Sequence, residues 1–177
     1  MNRCSILTLV TVAVIGFATG YPARDADAQE RQRVSYTTPP ASTKYTQQHL
    51  IDVGDVPGHQ VRVYEIYRSV SGNAPMINGL KLVETWTRGL SDYTDTNGAS
   101  TNYTTYVFEN GDKIFARTIT VVQSTGPGKA NTVSVGPITG GTGKLAGIQG
   151  TVRSTGTAEP AAGINDNRTE IEYAMVK

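Results

Sequence analysis

Glu65 has the setting most suggestive of chemistry. In the segment 60–68 the odd positions carry Val61, Val63, Glu65 and Tyr67, while the even positions include Arg62 and Arg68. Successive side chains on a strand point to opposite faces. Arginines placed outside therefore turn Glu65 inward among apolar neighbours, where desolvation raises a carboxyl pKa and makes the group useful as an acid or base. The competing reading is a glutamate at a barrel end paired with an arginine. In the segment 80–93, Leu80, Leu82, Glu84, Trp86 and Arg88 fall on one face. A glutamate and an arginine flanking the single tryptophan make either a ligand pocket or an ion pair beneath a packed ring. Both assignments depend on strand phase, which a one-residue bulge reverses.

Other motifs point away from familiar chemistries. The stretch 136–150 holds glycines at 136, 140, 141, 143, 147 and 150 and invites a phosphate reading. A P-loop, however, needs Gly four residues before the Gly-Lys pair and Ser or Thr after it, and those positions are Ile138 and Leu145. The dinucleotide fingerprint fails at Ala146, so a tight corner in a curved sheet is the better account. His49 and His59 have no cysteine nearby to complete a zinc site, and no G-x-S-x-G occurs. No metal and no cofactor is expected.

The elements that must position these residues are strands. From Tyr45 onward, segments rich in Val, Ile, Thr and Tyr alternate with Gly, Pro, Asn and Asp clusters. Expected strands cover 45–53, 60–69, 80–93, 101–109, 113–124, 132–139, 144–155 and 169–176. Asn97-Gly98 and Asn110-Gly111 offer the positive φ that tight hairpins need. Eight sequential strands with short loops predict an all-β, up-and-down antiparallel barrel, because closure removes exposed edges. Residues 1–28 read as a secretory signal peptide: Arg3, an apolar run too short to span a bilayer, then Ala26-Asp27-Ala28 as an A-x-A cleavage site. Residues 29–44, with Pro39-Pro40, read as a flexible tether before a barrel domain over 45–177. The lone cysteine, Cys4, lies in the leader. With 16 basic and 15 acidic residues and no basic cluster, the footprint of a nucleic-acid binder is missing. After processing no membrane span is expected, and the location is secreted or periplasmic.

Three segments together resemble the allene oxide cyclase and dirigent-type (calycin-like) β-barrel superfamily. They are Val63-Tyr64-Glu65-Ile66, the strand pair running from Tyr106 through Asn110-Gly111 to Ile114, and Ile138 to Gly143 continuing to Gly147 and Gly150. The resemblance implies an eight-stranded barrel with a central cavity. Allene oxide cyclases close a fatty-acid epoxide into a cyclopentenone in a mostly apolar cavity with a buried glutamate and an ordered water. Glu65 matches that glutamate, and Pro75 resembles the proline that fixes the water. The family's asparagine two residues after the glutamate is Tyr67 here, and its serine before the proline is Ala74. Dirigent proteins steer coupling of phenoxy radicals with arginine, aspartate and tyrosine in the cavity; Arg88, Tyr106 and Arg117 match by type alone.

The resulting expectation is an exported barrel that binds a small, largely apolar molecule in its lumen and steers its cyclisation or coupling, with Glu65 as polar anchor. The cavity candidates are Tyr67, Pro75, Glu84, Trp86, Arg88, Tyr106 and Arg117. Whether the chain is an enzyme, isomerase-like or dirigent-like, stays open. The alternative is a non-enzymatic structural or interaction module of the envelope or extracellular space, with a packed lumen. A homo-oligomer, trimer or dimer, is a further expectation from related barrels.

Overall fold

The computed structural model describes residues 30–159 and 164–176; the expected signal peptide lies outside them. Ten strands follow in order: β1 (Gln32–Thr38), β2 (Thr43–Asp52), β3 (His59–Ser69), β4 (Met76–Ile77), β5 (Leu80–Thr94), β6 (Asn97–Phe108), β7 (Lys113–Gly126), β8 (Lys129–Gly141), β9 (Ile148–Glu159) and β10 (Ile164–Met175). The β7 sequence shows why strands form. Ile114, Ala116, Thr118, Thr120 and Val122 are buried and every residue between them is exposed, a period of two. All ladders are antiparallel. The order across the sheet is β1-β10-β9-β8-β7-β6-β5-β3-β2, with β4 paired to β5.

Eight of these strands cover the expected segments; β1 and β4 are additions. The residues 29–44 read as a tether are mostly structured. β1 pairs with β10 along its length, from Gln32↔Tyr173 to Thr38↔Asn167, and buries Tyr36 and Thr38. Only Pro39 and the 3-10 turn Pro40–Ser42 separate it from β2. The prolines that argue for a tether in fact make the bend between two edge strands, where their missing N–H costs no ladder bond.

The sheet rolls up, since Tyr36 of β1, Tyr45 of β2 and Thr120 of β7 border one cavity. No ladder among the described residues joins β1 to β2. The expected eight-stranded closed barrel is therefore corrected to a ten-stranded rolled sheet with one open seam. A second correction concerns a turn. Positive φ falls at Asp95 (49°) and Thr96 (68°), and Asn97 already begins β6. Asn97 holds that turn and the next strand together, donating from Nδ2 to Asp95 O (3.2 Å) and accepting from Ser124 N (2.9 Å).

The glycine-rich stretch is a corner at the base of the roll. A 3-10 turn at Gly143–Leu145 docks on the β6–β7 hairpin, where the Asp112 carboxylate accepts from Lys144 N (2.9 Å) and Asn110 Nδ2 (2.7 Å). These bonds hold Asp112 below the usual carboxylate range. At Gly143, with φ of 54°, a Cβ would strike that carboxylate. The corner drops Leu145 into an apolar base formed with Ile77, Leu82, Phe108, Ile114 and Ile171.

A bulge at Val83 sets the phase of β5: Leu82 opposes Phe108, and Glu84 opposes Val107. Leu80 and Leu82 point inward, but beyond the bulge Thr85 and Thr87 take the inner positions and Trp86 turns outward. This phase makes a paired prediction for urea unfolding. Leu82→Ala, at a fully buried site, is expected to cost about 2–5 kcal/mol. Val83→Ala, on the outer side, is expected to cost under about 1 kcal/mol; equal losses would contradict the bulge.

Candidate ligand cavity

Above the apolar base, the interior stays open as a cavity of about 330 Å³. Its wall follows from strand alternation. β3 contributes Arg62, Tyr64, Ile66 and Arg68; β5 contributes Thr85, Thr87, Ser91 and Tyr93; β6 contributes Ser100, Asn102, Thr104 and Tyr106. Thr118, Thr120, Thr132, Ser134 and Ser154 continue the hydroxyl lining on β7 to β9. The mouth lies at the end where Gly58 and Thr96 mark the β2–β3 and β5–β6 connections. Among the described residues, none that lines the cavity is Asp, Glu, His, Lys or Cys.

A chain of hydrogen bonds ties the wall together across four strands. Tyr64 OH donates to Asn102 Oδ1 (2.6 Å), Asn102 Nδ2 donates to Thr120 Oγ1 (2.8 Å), and Thr120 Oγ1 meets Ser134 Oγ at 2.6 Å. Gly89 makes room for this, because a Cβ there would strike the Tyr64 ring. Burial pushes the Tyr36 and Tyr64 hydroxyls up to about 12 and raises Tyr106 well above the usual phenol value. Burial lowers Arg68, and the coulombic influence of Tyr45, Tyr36, Tyr106 and Tyr64 opposes that shift. The Arg62 guanidinium sits 4.7 Å from the Tyr64 ring centroid, 5.6 Å from Tyr45 and 6.0 Å from Tyr93. At neutral pH the buried phenols of Tyr36, Tyr64 and Tyr106 are therefore protonated, beside the guanidinium groups of Arg62 and Arg68.

The sequence placed several candidates on the wrong side of the sheet. Glu65 does not face the lumen; its Oε2 pairs with Arg88 at 2.8 Å and its Oε1 accepts from Thr46 at 2.7 Å. The rule that arginines lie outside fails on β3, where Tyr64 and Ile66 share the arginines' face and pull it inward. Tyr67 and Trp86 pack outside in a tilted contact with centroids 4.9 Å apart, Trp86 Nε1 donates to Glu84 Oε1 at 3.0 Å, and Arg88 lies 5.9 Å from the Trp86 ring. The structure brings these five together, on the outer surface. Arg117 is also outside, over Tyr103. Pro75 is buried away from the cavity, its carbonyl accepting from Leu82 N at 3.0 Å. Tyr106 lines the cavity. The lumen expected to be apolar is apolar only at its base. What the sequence reading missed are Arg62, Arg68, Tyr64 and the Ser/Thr rows; the signal present was small polar residues at alternate positions, Ser100, Asn102 and Thr104 on β6 and Thr118 and Thr120 on β7.

No family model matches the chain, and no curated protein matches it. Among solved structures, a pterocarpan synthase dirigent protein is similar over 96% of this chain and 98% of its own, with a TM-score of 0.51 and 12% identity. The chain has a dirigent-type fold. At that identity the likeness concerns the backbone, and the cyclase side of the sequence resemblance is not carried by it. No helix among the described residues is long and apolar enough to cross a membrane.

At the mouth of this dirigent-type fold, His59 bridges two carboxylates. Nδ1 lies 2.6 Å from Asp55 Oδ1 in the β2–β3 connection, and Nε2 lies 2.8 Å from Asp92 Oδ1 on β5. The hydrogen bonds to Asp92 and Asp55 raise the imidazole above its ordinary value, and the His59 contact lowers Asp55. A raised histidine stabilises fully below its unfolded pKa of about 6.5 and loses that contribution as pH rises through its folded pKa. The lowered aspartate acts oppositely, losing its share as pH falls through its folded pKa. The melting temperature of the protein is therefore expected to fall between pH 6 and pH 8 relative to a His59→Gln variant. Parallel curves from differential scanning calorimetry would sink the bridge.

Proposed function

We propose that the cavity binds a small, hydroxylated aromatic molecule and orients it, steering a coupling or cyclisation by shape and hydrogen bonding. The observation that carries this reading is a 330 Å³ space walled by hydroxyls, tyrosine rings and two arginines. Its size falls at the small end of ligand pockets. The lining replaces the apolar ligand expected from sequence with one that can meet a hydroxyl-rich wall. The described wall residues include no carboxylate or histidine, and the buried phenols are held protonated, so they are suited to hydrogen bonding rather than to proton abstraction. What the wall can do is hold a reactive molecule in one conformation, which lowers a barrier through orientation. Likeness in fold to a dirigent protein supports this reading, and export from the cell belongs to it.

Native mass spectrometry of the protein purified from its own host is the test. An aromatic adduct is expected, and Ser134→Leu, which fills the wall, is expected to abolish it. A clean mass with no binding to a panel of phenols would move the chain to the packed-module reading.

Association of copies is favoured by a separate observation. On the outer face, Ile119 pairs with Val135 and Val121 with Val133, and all four side chains are exposed. Contiguous apolar surface of this kind is unusual on a monomer, and a nearly neutral chain does not repel its own copy. Sedimentation velocity is expected to show an oligomer that Val121→Lys dissociates; a wild-type monomer would end this reading.

A further inference from the structure

The cavity wall contains a donor pair without an acceptor. Arg62 Nε and Ser91 Oγ are both buried and neither has a hydrogen-bond partner among the described residues. The two residues are directly opposed in the β3–β5 ladder, Arg62↔Ser91, and both line the cavity. Their Cα atoms therefore lie about 5 Å apart with side chains on one face. Ser91 is only 1% exposed. Buried polar groups are rarely left unsatisfied, because each forfeits its hydration for nothing. An N–H and an O–H carried by two opposed residues of one wall suit a single group with two acceptor oxygens.

The charge narrows the choice. Arg62 is a permanent cation, and the lining offers no carboxylate among the described residues to neutralise it. Its guanidinium is already fixed in place. Nη1 donates to Gln48 Oε1 at 3.2 Å, and the rings of Tyr45, Tyr64 and Tyr93 surround it. A donor held this way is preorganised and loses little entropy on meeting a ligand. Charge-assisted bonds from guanidinium to carboxylate are among the stronger ones a site can make.

We infer that the ligand is an organic carboxylate, whose two oxygens accept from Arg62 Nε and Ser91 Oγ while its aromatic body occupies the hydroxyl-lined space. This rests on the cavity reading above and adds the class of molecule. Arg62 and Ser91 are then binding residues, and the acid group enters on the mouth half of β3 and β5, with the remainder of the molecule reaching toward Tyr106.

Isothermal titration calorimetry of the whole purified protein separates the two ideas. The probes are 3-(4-hydroxyphenyl)propanoate and its neutral primary amide, which match in shape. The acid is expected to bind about tenfold or more tighter than the amide, the range of a charge-assisted hydrogen bond. Arg62→Gln is expected to erase that preference, and Ser91→Ala to reduce it severalfold while leaving the melting temperature unchanged or higher. Ser91→Ala removes only an unpartnered hydroxyl, so it tests the site even if Arg62→Gln does not fold. Equal binding of acid and amide overturns the carboxylate inference and leaves the cavity reading standing. An acid preference that survives both substitutions places the anion elsewhere and overturns it too. Binding of neither probe overturns both.

Discussion

A rolled sheet has only one inside, and each strand must commit alternate side chains to it. Everything else in this protein is arranged around that allotment. At one end the inward positions carry Ile77, Leu82, Phe108, Ile114 and Leu145, which fill the space and supply the burial that holds the roll together. At the other end the same rows continue as threonine and serine. Their side chains are too short to meet across the interior, so a void remains where the base would predict a core. The transition takes place within single strands, as in β7, which passes from Ile114 and Ala116 to Thr118 and Thr120 without a change of period. Stability and cavity are thus two halves of one pattern.

The cavity half pays for its polarity with hydrogen bonds rather than with charge pairs. Asn102 satisfies its amide against Thr120 and Ser100 while accepting from Tyr64, which makes β3, β6 and β7 share one network. A half-satisfied network of this kind is costly, and a complete one fixes side-chain geometry. The arginines are accommodated differently. Aromatic faces around Arg62 compensate part of its lost hydration through the ring quadrupole, and Arg68 shares the cavity wall with Tyr36, Tyr45, Tyr64 and Tyr106.

Strand positions were legible because Val, Ile, Thr and Tyr runs are separated by real turn residues. The side of the sheet was not. On β3 both faces are plausible: Val61, Val63 and Tyr67 against Tyr64, Ile66 and the two arginines. The choice is made by the partner strand, which sequence does not display. On β5 a single bulge at Val83 hides the phase change between Leu82 and Thr85. β1 was lost because an edge strand with charged and polar residues, followed by two prolines, has the composition of a linker. Its alternation of Val34, Tyr36 and Thr38 was the faint trace of a strand. Family resemblance located the architecture but carried Glu65 to the wrong face, since a shared segment does not guarantee a shared function for each residue.

The unpaired seam between β1 and β2 has a mechanical meaning. Elsewhere around the roll, any change of girth must stretch or break ladder bonds between neighbouring strands. At the seam no ladder among the described residues joins the two strands, which are connected through Pro39 and the short turn after it. Tyr36 and Tyr45 stand on opposite banks of that gap and both touch the cavity. The roll is therefore built as a split collar, hydrogen-bonded from strand to strand around its girth except along that one line.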